Sequence, residues 1–402
     1  MSDSVLRELA RLAARSGDPS DWIYLAQAAG QRGRLDEAAL AIVRAQALGG
    51  DVTPLLDALC PSLHSFSLRR VHCPTLRGGT CDLSADGRTL AGFDEGGRLL
   101  LVEVDTGHVR VVAEFTGPPP TSLSITPDAR WAAVILACRE VVIVDLAHGE
   151  VRTVLTSEEH LMRAVLTDVP GTLYVSDVRH RGSVAFLRHG LRAWRLSEGG
   201  QRTPNPALET VDFADVESRS GAVLERKRHG GDLLVHDGIG RRPRVISASG
   251  ETQARGSSVK LVAGRVLVLG SSLELIRTSD GASVCGPVIL SRTSFPYSAF
   301  PAPSGRICAV FRDWADGEIE FHDLRAVAPD WPGPPVMKVG VRGFKEGGVL
   351  WAAHGLRCVF PTCGQELLVL DAPWGDALPA RPQGEQPRAT ADPVLAATLP
   401  DR

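Results

Sequence analysis

The stretch from Cys81 to Arg110, "CDLSADGRTLAGFDEGGRLLLVEVDTGHVR", is restated from Leu123 to Arg152 as "LSITPDARWAAVILACREVVIVDLAHGEVR". Residues 80–112 align with 122–154 without a gap, pairing Asp86 with Asp128, Arg88 with Arg130, Val102 with Val144, Gly107 with Gly149 and Arg110 with Arg152. Each copy reads as an apolar run, a turn ("SADGR" or "TPDAR"), a second run, a polar break, a third run, then glycine and a last run. Asp-Gly and Pro-Asp specify turns through side-chain hydrogen bonds to the backbone and tolerance of positive φ. The unit is therefore four strands long. One such sheet cannot bury both of its faces, so copies must pack on one another.

Four strands per unit at a period of roughly 40–45 residues is the signature of β-propeller blades. Further copies are expected, and "FPAPSGRICAVF" (300–311) repeats the strand–turn–strand start, with Ser304 in the place of Asp128. Its continuation "GEIEFHDLRAV" (317–327) matches the ends "LLLVEVDTG" and "VVIVDLAHG". That ending resembles the Trp-Asp ending of WD40 blades, with His322 where Trp would stand. Blade three is placed at 164–200, with extra residues around "RHRGSVAFLRHG". Blade four runs from "VDFADVES" to "RRPRVIS", and "SSVKLVAGRVLVLGSSLELIRTSDGASVCGPVIL" (257–290) is a compact blade five. The last unit, 349–372, supplies only three runs, and "HSFSLRRVH" (64–72) is the strand that would close the ring, since an unpaired edge leaves backbone donors and acceptors open. The expected fold is mainly β: a seven-bladed β-propeller over 61–372, preceded by a small α-helical domain.

That domain, residues 1–60, contains "DPSDWIYLAQAAGQRGRLDEAALAIVRAQALGG" (18–50), which resembles one tetratricopeptide repeat. Trp22, Leu25, Ala26, Ala29, Ala38, Ile42 and Ala45 carry the match, with Ala26 in place of the usual Gly, Ala29 of the aromatic and Gly50 of the Pro. Helices at 3–15 and 53–59 would cap the pair. The resemblance implies either a cap on the ring or a groove that takes a peptide. Beyond residue 372 the Pro-rich tail, 373–402, reads as disordered.

A net charge of −3 disfavours nucleic acid and anionic membrane as partners. The start "MSDSVLRELARLAARSG" lacks the apolar core of a secretory signal, and the longest apolar region is broken by Arg139 and Glu140. A cytoplasmic protein is expected. Eight cysteines are scattered with no C-x-x-C pair. H-E-x-x-H, G-x-S-x-G and P-loop motifs are all absent, so neither a cofactor nor a metal is called for. Cys358 and Cys363 are the nearest thiol pair and read as core and turn residues. "DWADGEIE" (313–320) reads as a hairpin turn, "DFADVES" (212–218) as a strand, and "RKRHGG" with "RRPR" as solvated basic loops.

Propellers bind at one face, where loops gather around the channel. His180, Arg181, Arg228, His229 and Trp314 fall in second-to-third-strand loops and are the candidate binding residues. The expected function is a non-catalytic scaffold or adaptor with protein partners. The alternative is a propeller enzyme, of hydrolase, lyase or lactonase type, working at the channel with or without a metal. The chain also resembles bacterial accessory propellers that accompany AAA+ ATPase and von Willebrand A proteins, which implies a partner of that kind.

Overall fold

The computed structural model describes residues 3–59, 66–77, 80–167 and 172–180 without a break. From there to residue 372 it describes the strands and some of their turns. Four helices come first: α1 (Asp3–Ser16), α2 (Pro19–Gly30), α3 (Leu35–Ala47) and α4 (Thr53–Leu59). Asp18 caps α2, accepting the backbone N–H of Ser20 at 2.9 Å, and Pro19 occupies the first turn, where its missing N–H costs nothing. Asp36 and Glu37 place negative charge at the start of α3. Small residues let α2 and α3 approach closely: Ala26, Ala29, Ala38, Ala41 and Ala45 are buried together with Leu25 and Ile42.

Strand β1 (Ser67–His72) follows. The first full sheet is β2 (Cys81–Leu83), β3 (Thr89–Phe93), β4 (Arg98–Glu103) and β5 (Val109–Glu114). The second is β6 (Ser122–Ile125), β7 (Trp131–Leu136), β8 (Glu140–Asp145) and β9 (Val151–Thr156). The third comprises β10 (His160–Leu166), β11 (Thr172–His180), β12 (Leu187–Leu196) and β13 (Arg202–Pro204). The fourth comprises β14 (Phe213–Val216), β15 (Val223–Arg226), β16 (Asp232–His236) and β17 (Arg244–Ser247). In the fifth are β18 (Ser258–Val262), β19 (Arg265–Leu269), β20 (Ser272–Arg277) and β21 (Ser283–Ile289). In the sixth are β22 (Ser298–Pro301), β23 (Ile307–Phe311), β24 (Glu318–Asp323) and β25 (Met337–Gly340). The seventh joins β26 (Leu350–Trp351), β27 (Arg357–Pro361) and β28 (Glu366–Asp371) to β1, with Ser67 opposite Asp371 and His72 opposite Glu366.

Every sheet is antiparallel, and each packs on the next, the seventh on the first. The chain is mainly β, and this arrangement is a β-propeller preceded by helices. Apolar residues of adjacent sheets fill the seams. Between the seventh and first sheets these include Val359, Leu367 and Val369 against Leu90, Leu100 and Val102, all buried.

The residues that recur in the sequence do the repeated work of this packing. In the turn between first and second strands, the Asp86 carboxylate accepts the N–H of Arg88 at 3.0 Å, and the Asp128 carboxylate accepts that of Arg130 at 3.0 Å. Ser304 Oγ accepts from Arg306 N at 3.3 Å, and in the seventh sheet His354 Nδ1 accepts from Leu356 N at 3.0 Å. Gly107 and Gly149, both at positive φ, lie against the outer strand of the preceding sheet. A Cβ at Gly107 would run into the His72 carbonyl oxygen, and one at Gly149 into that of Val112. Arg110, on β5, donates to the carbonyls of Leu146 (2.5 Å) and Ala147 (3.4 Å) in the next sheet, and Arg69, on β1, reaches Val104 and Asp105 in the same way.

Candidate interaction surfaces

Antiparallel blades give the ring two unlike faces. One carries the turns between first and second strands and between third and fourth; the other carries the second-to-third-strand connections. On the first face the inner turns are linked by main-chain hydrogen bonds, from Ala353 N to Ala85 O at 2.7 Å and from Ala85 N to Pro127 O at 2.8 Å. The helices sit on this linkage. Ala39 and Val43 of α3 pack on Ala85 and Ala353, with Leu40 half-buried beside them, and Arg88 lies 3.8 Å from Asp36. The opposite side of α3 is buried on α2, so no residue of α3 is fully exposed. The helix therefore straddles the seam between the first and seventh blades.

That seam also carries a closed ring of charges. Arg69 Nε meets Asp371 at 2.9 Å and its Nη2 meets Asp105 at 2.8 Å; Arg357 contacts the same two carboxylates at 2.6 and 2.8 Å. Arg357 loses solvation there, but its bonds to Asp105 and Asp371 outweigh that loss and raise its pKa. The residues come from four elements or turns on both sides of the closure. Sequence inspection does not find this cluster, because its Arg and Asp residues stand 14 to 302 residues apart and share no local pattern.

The second face presents short hairpin turns in the first two blades. Asp94 accepts the Arg98 N–H at 2.8 Å and pairs with its guanidinium at 2.7 Å, and Leu136 to Glu140 closes the next hairpin through Ala137 and Cys138, both at positive φ. In the third blade the hairpin is longer. The β11–β12 ladder runs from Thr172↔Arg195 to His180↔Leu187, whereas β7–β8 runs from Trp131↔Asp145 to Leu136↔Glu140. Thr172 and Trp131 are equivalent, each accepting the N–H of the threonine five residues earlier, Thr167 or Thr126. By that alignment Leu136 corresponds to Asp177, which is fully buried. The pairs Val178↔His189, Arg179↔Arg188 and His180↔Leu187 are additional.

His180 is therefore the last residue of a strand rather than a loop residue, because the extra residues of blade three prolong its hairpin. Arg181, Arg228, His229 and Trp314 lie outside the described residues; in the chain they fall between β11 and β12, β15 and β16, and β23 and β24 respectively. Of the five candidates the structure therefore describes only His180, as the end residue of β11. The acidic stretch 313–317 and Cys363 are likewise outside the described residues.

Among the described residues no three His, Cys, Asp or Glu side chains gather as metal ligands would. Cys73, Cys81, Cys138, Cys308 and Cys358 form no disulfide. Burial pushes Cys73 up to about 11 and Cys81 to about 12, and holds Cys358 well above its ordinary value, so none is a ready thiolate. No described helix is long and apolar enough to cross a membrane.

No protein-family model matches the chain, and no curated protein matches it. Many solved structures are similar, among them the following two. One is the β-propeller domain of Myceliophteria thermophila Cps50 (Swd1), 14% identical over 76% of this chain and 100% of that one, with a TM-score of 0.53. The other is a chain of a mitotic checkpoint complex, 12% identical over 79% of this chain and 97% of that one, with a TM-score of 0.52. At these identities the likeness is one of fold. The chain has a WD40-like β-propeller fold.

Proposed function

We propose that this protein is a non-catalytic interaction scaffold: seven blades in one closed ring, with a tetratricopeptide-like helix pair fixed as a cap on one face and protein partners taken on the other. One observation carries the reading. Of the described ion pairs, Arg69–Asp105 and Arg357–Asp105 bridge the seam between the seventh and first blades, Arg88–Asp36 links the helices to the ring, and Arg69–Asp371 and Arg70–Glu366 hold β1 to β28 where the ring closes, so they serve rigidity rather than a reacting centre. The cap role is supported by α3, whose two sides are spent on α2 and on the ring. The matched folds belong to a propeller domain and to a chain of a named complex, which is compatible with a binding platform. Free thiols suit the reducing cytoplasm. Neither the fold nor these matches speaks for the narrower expectation of an AAA+ or von Willebrand A partner.

The test is affinity capture by the full-length chain, followed by mass spectrometry, with a variant in which Arg181, Arg228 and Trp314 are alanine and whose melting temperature is unchanged. A partner held by the parent and lost by the variant supports the scaffold. Turnover of a small-molecule panel with no captured partner overturns it.

A further inference from the structure

Three successive carbonyls in the β2–β3 turn of the first blade take bonds from the β26–β27 turn of the seventh. Ala85 O accepts from Ala353 N at 2.7 Å, Asp86 O lies 3.3 Å from His354 Nε2, and Gly87 O accepts from Arg357 Nη1 at 3.2 Å. His354, the middle link, is buried. Its other ring nitrogen, Nδ1, accepts the N–H of Leu356 at 3.0 Å. A backbone N–H only donates and a carbonyl only accepts, so these contacts require a neutral ring with its one proton on Nε2. The equivalent residues Asp86, Asp128 and Ser304 accept the N–H two residues on without that requirement, because their acceptor is an oxygen. A second proton on His354 would go to Nδ1 and point at the Leu356 N–H, opposing two donors in a buried place.

We propose that His354 is a proton-operated latch on the closure of the ring. Neutral, it ties the seventh blade to the first; protonated, it releases the Leu356 N–H and loosens the turn that carries Ala353, on which α3 rests. Charged groups meet this turn from each element around it. The first blade brings Asp86, whose carboxylate accepts from Ser84 Oγ and Arg88 N, and Arg88 itself; α3 brings Asp36, 3.8 Å from Arg88. The seventh brings Arg357, held by Asp105 and Asp371, the second Asp128, bonded to Thr126 Oγ1 and Arg130 N, and the sixth Arg306 and Asp323. Each carboxylate is already engaged by a donor or an arginine, and the arginines disfavour a further cation. The link is therefore complete above about pH 6.5, where a free imidazole titrates, and weakens as pH falls below it. The inference does not depend on what the ring binds.

The test follows denaturant unfolding and hydrogen exchange of the full-length chain from about pH 8 to pH 5, for the parent, His354→Asn and His354→Ser. Asn keeps an acceptor for the Leu356 N–H and a donor for Asp86 O but takes up no proton in this range; Ser copies the acceptor of the sixth blade. Titration of the remaining histidines is common to all three chains and cancels in the differences. Below about pH 6.5 the folding equilibrium constant of the parent should fall relative to either variant by up to ~tenfold per pH unit. Exchange in segments 81–90 and 350–357, corrected for its intrinsic pH dependence, should quicken on acidification in the parent and not in the variants. Parallel pH profiles for parent and variants, or exchange in those segments of the parent that does not respond to pH, overturns the proposal. The parent's exchange profile decides alone if neither variant folds.

Discussion

The seams on either side of the first blade and the seam between the fifth and sixth blades solve the same packing problem with different chemistry. Around the first blade the repeat is intact, and the inner turns meet backbone to backbone, Ala353 N to Ala85 O and Ala85 N to Pro127 O. Between the fifth and sixth blades the acceptor is Pro303, which stands in the sixth blade where Pro127 stands in the second. The fifth blade has only two residues, 263 and 264, between β18 and β19. Arg265 takes over: its Nη1 donates to Pro303 O at 2.6 Å, and the side chain is 1% exposed. A guanidinium thus supplies here the donor that a main-chain N–H supplies at the seams of the first blade. The same seam differs in polarity. Ile319 and Phe321 of β24 face the seventh blade, so alternation turns Glu320 and His322, both buried and 3.3 Å apart, toward the fifth. Where the turn is short, the Arg265 side chain makes the link.

The largest effect is expected from Arg265→Ala. It removes the donor to Pro303 O and empties a fully buried volume, at a cost of about 3 kcal/mol or more in denaturant unfolding. The equivalent seam at Ala85 uses backbone, so Ala85→Ser should cost far less; equal losses would break the comparison. Next comes Gly107→Ala, which strains a positive φ and drives Cβ into the His72 carbonyl, for roughly 2 kcal/mol. Gly117→Ala is the control: its φ is 120°, but nothing lies within 4 Å, so only the conformational part should remain.

Breaking the charge ring at the closure should cost less, about 1 kcal/mol for Asp105→Asn, because Asp105 is partly exposed and screened. That loss should shrink as salt is raised. The smallest and most discriminating test compares two aspartates at equivalent ends of third strands. Asp145 is held below the usual carboxylate range chiefly by its hydrogen bond with the His148 side chain, which with bonds from backbone N–H groups outweighs the desolvation that raises it. Its contribution to stability is present above the ordinary carboxylate pKa and is lost as pH falls through the lowered value. Asp323 is raised, because desolvation outweighs Arg306, so its charge opposes folding at neutral pH and that cost disappears on acidification. Asp145→Asn should destabilise near neutrality and flatten the acid limb of the melting profile, whereas Asp323→Asn should be neutral or stabilising. Matching signs would show that the two positions share one environment.

Much of the architecture was legible because a repeat exposes its own rules. Asp86 and Asp128 recur as turn acceptors, and Gly107 and Gly149 recur because each backs onto a neighbour's carbonyl. The candidate interaction surface was far less legible. "RHRGSVAFLRHG" is visibly an insertion and visibly basic, but which run is the third strand, and that Arg179 faces Arg188, are facts of register. Arg265 gave no signal either, since one arginine in an arginine-rich chain looks like a surface residue until its neighbour supplies the carbonyl.

By itself the sequence determined the blade: strand alternation, turn residues and their spacing are short-range properties, and backbone geometry turns them directly into a four-stranded sheet. Only the tertiary structure decided what the blades do to one another. The helix α3 on the closing seam, the charges shared by Arg69, Asp105, Arg357 and Asp371, and the reach of β11 and β12 past their neighbours all depend on residues far apart in the chain being brought within a few ångströms. Contact energies act over that distance and leave no periodic trace in the order of the residues.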